Sequence, residues 1–205
     1  MTVPSLAPRS ALAGIAVPGR FGRQDGVAGV TLSERVGSGL ATVMAWRGRG
    51  PALRAAARAS YGVDLPDSSR CVHGPALAFI GTGPGQWLAV SETLAHGALA
   101  GDLGKTLGGN ASISDQSDGR AVIRIAGPRA RDVLAKGLPI DLHPSAFAPG
   151  SAATSVVALM GVTLWQTDDA PTYDIAVFRS LAGSFWTFLV DSAAEFGCSV
   201  DEAAA

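Results

Sequence analysis

The sequence has little charge and no long hydrophobic run. Only 16% of its 205 residues are Asp, Glu, Lys or Arg, and the formal net charge is −1. A chain with this charge creates no field that attracts a phosphate backbone, so nucleic acid is not an expected partner. Gly, Pro or a charged residue interrupts every apolar segment before it reaches the ~18 residues that a membrane-spanning helix needs. We therefore expect neither a nucleic-acid partner nor a membrane span.

Cysteine is also scarce, and the two that occur, Cys71 and Cys198, are far apart in sequence. Two isolated thiols are typical of a protein in a reducing compartment. The first twenty residues contain Pro4, Pro8 and Pro18 and lack the basic start and apolar core of a secretory signal. The resulting prediction is a cytoplasmic location.

Motifs that carry chemistry are missing. The three histidines, His73, His96 and His143, have no second ligand at metal-site spacing. Cys71 lies two residues before His73, which is too weak a pattern to nominate a nucleophile. The glycine-rich segment 81–85 contains a proline and leads into a strand-like run, which indicates a hairpin turn and not a phosphate cradle.

Two pairs of carboxylates are the remaining candidates for acid–base chemistry. They are Asp115 with Asp118 and Asp168 with Asp169. Aspartate accepts backbone N–H bonds in turns, and both pairs lie in turn-like segments, so we interpret them as turn residues and Arg120 as a surface group beside them. The sequence thus nominates no catalytic, cofactor-binding or metal-ligating residue.

Small and apolar residues dominate the chain. Hydrophobic residues make up 47% of the sequence, and the mean hydropathy is +0.27. So few charges indicate a surface that partner chains partly cover. An alanine-rich composition accounts for the same numbers, and both explanations stay open.

Residues 111–138 contain the most regular local pattern. Within them, residues 121–126 alternate an outward Arg124 with inward isoleucines, which predicts a half-buried strand. A Gly-Pro turn ends this strand, and a short helix follows as far as Gly137.

Similar patterns predict the rest of the fold. They give helices over 51–61, 92–103 and 181–196, two strands or a strand and a turn within 27–46, a hairpin of 76–80 and 86–91, and a meander of 154–159, 162–166 and 172–178. This order predicts an α+β fold in which helices cover antiparallel sheets. We expect residues 1–20 to form an N-terminal arm and residues 21–205 a body, with room for two subdomains divided near residue 110.

Four segments, in order, resemble one known family. They are GRFGRQDGVAGVTLSERVGSGLATVMAWRG, GTGPGQWLAVS, DQSDGRAVIRIAGPRARDVL and YDIAVFRSLAGSFWTFLVDSAAEFG. Together they span roughly Arg20 to Gly197 and resemble the gamma subunit of heterotetrameric sarcosine oxidase. The third segment also resembles the strand-to-helix element of the folate-binding fold in the T-protein aminomethyltransferase of glycine cleavage, and this resemblance implies that fold.

The resemblance implies a small, non-catalytic subunit of a flavin-dependent complex that oxidatively demethylates sarcosine or a related N-methyl amino acid. It further implies that FAD, FMN, NAD and the tetrahydrofolate acceptor belong to larger subunits. The partners are then the alpha, beta and delta subunits, mainly alpha. Because aromatic residues are enriched at interfaces, we predict Phe21, Trp46 and Trp87 as partner contacts.

The alternative is an independent folate-dependent aminomethyltransferase or folate-binding protein. That function needs an acidic residue in the folate pocket, near an Asn-Gly-Gly-type turn in the T-protein fold. This chain has ALMGVTLWQTDD there instead, so we transfer no folate-binding role to any of its residues.

Overall fold

A computed structural model describes residues 9–203 and places their strands in two sheets. The larger sheet has seven strands, in the order β1-β12-β2-β8-β11-β10-β9. Their bounds are β1 Gly19–Phe21, β2 Val30–Arg35, β8 Arg120–Ala126, β9 Ala152–Val157, β10 Met160–Asp168, β11 Thr172–Phe178 and β12 Cys198–Val200. All neighbours are antiparallel except β12 and β2, which are parallel.

The smaller sheet has five strands, in the order β4-β5-β6-β3-β7, and is antiparallel throughout. Its strands are β3 Gly39–Ala45, β4 Cys71–His73, β5 Ala78–Gly83, β6 Gln86–Ser91 and β7 Ala111–Asp115. The predicted hairpin is confirmed as β5 and β6, joined across Pro84 and Gly85.

Helices cover the outer face of each sheet. They are α1 Gly50–Tyr61, α2 Ala98–Leu107, α3 Ala130–Ala135 and α4 Ala182–Ala193. Leucines of α1 and α2 pack with Val43, Phe79 and Trp87 of the five-stranded sheet. Side chains of α3 and α4 pack in the same way on the seven-stranded sheet, around Ile123 and Ile175. The order of layers is therefore helix, sheet, sheet, helix, and the predicted α+β fold with helix-covered antiparallel sheets is confirmed.

The two sheets also pack on each other through a third apolar cluster. Its buried members come from both sheets: Leu40, Cys71, Ala78, Ile80, Leu88, Val122, Ala152, Trp165 and Ala176. Central strands such as β8 are thus covered on both faces, because Val122 points at the second sheet while Ile123 and Ile125 point at the helices. We call this cluster the apolar strip.

Several element boundaries differ from the predictions by a few residues. Helix α2 begins at Ala98 and not at residue 92, because the Ser91 hydroxyl accepts the N–H groups of Thr93 and Leu94 and Gly97 adopts a φ of +69° that no helix continues through. In the meander, the turn lies at residues 158–159, two residues earlier than predicted, so that Met160 is already in β10.

Part of the predicted N-terminal arm, residues 1–8, lies outside the described residues. In the part that is described, Leu12 is buried against the seven-stranded sheet, and the Glu34 carboxylate accepts its N–H and that of Ala11. A division into subdomains near residue 110 stays a prediction. The strand directly after that point, β7, pairs with β3 in the five-stranded sheet.

No helix in residues 9–203 is long and apolar enough to cross a membrane.

Candidate functional site: a cleft between the two sheets

The two sheets separate on either side of the apolar strip, and each opening is lined by polar side chains. Strand β8 runs across the strip and presents Arg120, Val122 and Arg124 to the second sheet. Val122 lies in the strip, and one arginine faces each opening. We call the openings the Arg124 end and the Arg120 end of the cleft.

The Arg124 end contains a cavity of about 360 Å³. Its lining comes from both sheets and the loops beside them: His73, Gly74, Pro75, Ala76, Leu77, Ala78, Val90, Glu92, Thr93, Arg124, Trp165, Thr167 and Asp174. The register of β8 on β11 places Arg124 directly opposite Asp174. Nε and Nη2 of Arg124 donate to the two oxygens of that carboxylate, each at 2.7 Å.

This ion pair dominates the electrostatics of the Arg124 end. The Asp174 side chain is 8% exposed and that of Arg124 is 29% exposed, so the pair is largely shielded from water. Hydrogen bonding to Asp174 raises the pKa of the Arg124 guanidinium. The prediction that Arg124 points outward is wrong, because the face of β8 opposite the isoleucines is covered by the second sheet.

Strand β4 contributes Cys71 to the apolar strip and His73 to the lining of this cavity. The Sγ atom of Cys71 is 3.4 Å from Nε2 of His73. Burial, and to a smaller extent the nearby Asp174 carboxylate, raises the pKa of the Cys71 thiol to about 12. The thiol is therefore protonated at neutral pH and is not an activated nucleophile.

The other residues considered as chemical candidates have structural contacts. Asp115 and Asp168, predicted as turn residues, are each the last residue of a strand, β7 and β10, and hold the turn that follows. Asp115 accepts the N–H and the hydroxyl of Ser117, and Asp168 accepts the N–H of Ala170. Nδ1 of His96 lies 3.5 Å from the exposed Asp118 carboxylate. Within residues 9–203, no three His, Cys, Asp or Glu side chains come together as a metal site.

The Arg120 end contains a smaller cavity of about 210 Å³. It is lined by Thr42, Thr82, Gln86, Trp87, Leu88, Arg120, Thr154 and Thr163. The interpretation of Arg120 as a surface group is wrong, because its Nε is buried and burial lowers the pKa of its guanidinium. The residue opposite Arg120 on β11 is Phe178, and the guanidinium lies 4.6 Å from the centre of that ring.

The three aromatic residues predicted as partner contacts occupy different environments. Trp46 is 47% exposed and its indole N–H donates to the Ser112 hydroxyl. Phe21 is partly buried against the larger sheet. Trp87 is 1% exposed, and its N–H donates to the Pro66 carbonyl, so it belongs to the core under α1 and α2 and has no surface for a partner.

The family relationship is decided by sequence. The model of the "Sarcosine oxidase, gamma subunit family" matches residues 47–195. The chain belongs to the sarcosine oxidase gamma subunit family. The gamma subunit of an Arthrobacter sarcosine oxidase is 36% identical over 151 residues, 72% of each chain, and that of Corynebacterium strain P-1 is 34% identical over 69% of this chain and 70% of the relative.

Solved structures agree with the family. A chain of the heterotetrameric sarcosine oxidase from Corynebacterium strain U-96, solved with pyrrole 2-carboxylate, superposes with a TM-score of 0.77 at 30% identity. The likeness covers 92% of this gamma-family chain and 96% of that one. The glycine cleavage aminomethyltransferase T of Bartonella henselae superposes with a TM-score of 0.63 over 86% of this chain and 48% of its own length, at 16% identity, which shows a shared fold.

Most of the residues that line the two ends of the cleft lie inside the matched range, whereas Thr42, at the Arg120 end, lies before it. Residues 47–195 contain Arg120, Arg124 and Asp174, the whole of β8, β9, β10 and β11, and all four helices. Trp46 lies one residue before that range, and Phe21 lies well before it.

Proposed function

We propose that this chain is the gamma subunit of a heterotetrameric, flavin-dependent oxidase that oxidatively demethylates sarcosine or a related N-methyl amino acid. The observation that carries the proposal is the likeness to a chain of the Corynebacterium heterotetramer, which extends over nearly the whole of both chains. Two chains alike throughout their length fit the same position in similar assemblies. The partners are then alpha, beta and delta subunits, with alpha as the main contact.

Within that assembly the chain acts as a structural subunit. The larger of the two cavities supports this role, since Arg124 and Asp174 neutralise each other there and the thiol of Cys71, on the neighbouring β4, holds its proton at neutral pH. Groups engaged in this way stabilise the packing of the two sheets and are poorly suited to moving protons to and from a substrate. FAD, FMN, NAD and the tetrahydrofolate acceptor accordingly belong to the larger subunits.

The interface with the larger subunits includes Trp46 and Phe21. Trp46 combines a large exposed apolar surface with an anchored indole N–H, which is the kind of rigid aromatic residue that contributes most to binding. Phe21 lies on the edge strand β1, and its ring is only partly buried.

Affinity purification of the tagged chain from its native host tests the proposal. We expect three larger chains to co-purify, with the visible absorbance of flavin and with oxidation of sarcosine or another N-methyl amino acid. Recovery of the chain alone, or with chains that carry no flavin, contradicts the proposal.

Titration of the isolated chain with tetrahydrofolate in a calorimeter tests the structural role separately. We expect no heat of binding, because the folate acceptor site is proposed for the larger subunit. Saturable heat supports an independent folate-binding function instead.

A further inference from the structure

The Arg120 end of the cleft is open between two apolar edges. On the larger sheet, Val156 and Phe178 are 42% and 46% exposed, and on the smaller sheet Met44 and Trp46 are 44% and 47% exposed. Eight large apolar side chains are exposed in residues 9–203, and the four beside this opening form an exposed apolar patch.

The base of this opening holds a positive charge without a carboxylate. In the described part of the chain Arg120 forms no ion pair, and its buried Nε has no hydrogen-bond partner. Thr42, Thr82, Thr154 and Thr163 line the same cavity as Arg120. A partly buried guanidinium beside neutral groups and an aromatic ring is incompletely solvated, and an anion is the ligand that satisfies it.

The backbone is strained beside the same opening. The turn between β9 and β10 consists of Ala158 and Leu159, whose φ angles are +46° and +69°. Such angles favour Asn and Gly, and non-glycine residues adopt them at an energetic cost. Leu159 is 95% exposed at the tip of this turn. A strained turn that presents a leucine to solvent is a feature that packing within the chain does not require.

We propose that the Arg120 end of the cleft binds an acidic side chain of a partner subunit, inserted between Met44 and Trp46 on one sheet and Val156 and Phe178 on the other. The proposal rests on the proposed function, because it assigns to that interface a specific site. The guanidinium of Arg120 pairs with the incoming carboxylate, and the threonine hydroxyls donate further hydrogen bonds to it.

The apolar rim favours a partner chain over a small anion as the occupant. A free anion would use Arg120 and the hydroxyls but would leave the four rim side chains exposed. A protein segment with a carboxylate between apolar residues pairs with Arg120 and also covers the four rim side chains. Strong interface contacts typically have this arrangement, in which apolar residues exclude water from a central charged pair.

Charge reversal in the co-expressed complex tests the inference. Arg120→Glu is expected to reduce the recovery of the larger subunits on the tagged chain at least tenfold. The matched control is Arg58→Glu, which reverses an arginine on the outer face of α1, 70% exposed and paired with Asp64, and should leave recovery unchanged. If wild-type chain recovers no flavin-bearing partners, the proposed function fails. If wild type recovers them and Arg120→Glu recovers them equally well, only this inference fails.

Arg120→Met separates a docking role from a folding role. Because Arg120 lacks a carboxylate in the isolated chain, its replacement by a neutral side chain should leave urea unfolding of that chain at the wild-type midpoint or above it, while recovery of the partners falls. A lower midpoint together with lower recovery would mean that Arg120 stabilises the fold, and would overturn the inference.

Photocrosslinking identifies the occupant without depending on the stability of a variant. Benzoylphenylalanine at Phe178 should crosslink to a partner peptide that contains Asp or Glu, whereas the same group at Ser60 on α1 should not. Reversal of that acidic residue to Arg should restore recovery with Arg120→Glu. Crosslinking only within the chain would overturn the proposal. So would an increase in the melting temperature with millimolar acetate or phosphate that depends on Arg120, if assembly does not depend on Arg120.

Discussion

Each end of the cleft has an arginine of β8, and the two ends differ in the residue that lies opposite that arginine. Arg120 and Arg124 point from one face of β8, and the register places Phe178 across from the first and Asp174 across from the second. At the Arg124 end a carboxylate neutralises the guanidinium within the chain. At the Arg120 end the described residues supply an aromatic ring and hydroxyls but no negative charge. A single strand, β11, thus completes one end of the cleft and leaves the other to be completed by another chain.

The largest expected effect comes from removing the residue that separates the Arg124 cavity from the apolar strip. Trp165 is 3% exposed and contacts both. Trp165→Ala should lower the free energy of unfolding by about 4 kcal/mol, since it removes buried surface and leaves a cavity. Urea unfolding of the purified chain measures this. The control is Trp46→Ala at an exposed position, which should lower the free energy of unfolding by about 1 kcal/mol or less. Equal losses for the two variants would mean that the apolar strip does not hold the sheets together.

Asp174→Asn should give the next largest loss. It leaves the Arg124 guanidinium without its anion in a partly buried site, and we expect the free energy of unfolding to fall by about 3 kcal/mol, at the lower limit for buried pairs because Arg124 is 29% exposed. The matched change at the other end, Phe178→Asn, removes no charge partner and should cost clearly less in the same urea titration. A larger loss of unfolding free energy for Phe178→Asn would mean that the Arg120 end, and not the Arg124 end, is the one completed within the chain.

The raised pKa of the Cys71 thiol predicts how the free energy of unfolding depends on pH. Its pKa is about 12 in the fold, against an ordinary 9.0, so the unfolded chain loses the thiol proton first as pH rises. The stability due to the protonated thiol is complete below pH 9 and is lost between pH 9 and 12, at about 1.4 kcal/mol per pH unit.

Urea titrations at pH 8 and pH 10 test this dependence. Cys71→Ala should flatten the profile relative to wild type, while Cys198→Ala, which removes the other buried thiol, should flatten it separately because burial raises that pKa to about 11. Parallel profiles for wild type and Cys71→Ala would show that the thiol does not titrate differently in the folded and unfolded chain.

The sequence alone predicts which face of β8 packs under helices, but it does not predict what covers the opposite face. Ile123 and Ile125 indicate which side is buried under helices, and they are buried there. The same alternation assigned Arg124 to solvent, because nothing local shows that a second sheet packs on that side. Val122, an apolar residue on the arginine face, is the one signal in the strand for a sheet covered on both sides.

Long-range pairing explains the strands that sequence patterns missed. Strands β1, β4 and β12 have three residues each, too few for a periodic pattern to appear. The pairing of β12 with β2 joins residues more than 160 positions apart, as in Cys198 with Val30. The bidentate contact between Arg124 and Asp174 has the same origin, since the two residues are 50 positions apart and meet only through the register of β8 and β11.

The smallest expected effect is that of the double variant Arg124→Met, Asp174→Leu. Replacing a buried ion pair by apolar side chains of similar volume is often close to neutral, so the double variant should unfold within about 1 kcal/mol of wild type and recover most of the loss caused by Asp174→Asn. It should also assemble with the larger subunits as wild type does, because the Arg124 end offers no unpaired charge to a partner. A double variant as unstable as Asp174→Asn would mean that the ion pair is a net source of stability. A double variant that folds but fails to assemble would mean that both ends of the cleft contact a partner. Arg120 and Arg124 would then differ in how strongly they contribute to binding and not in whether they contribute.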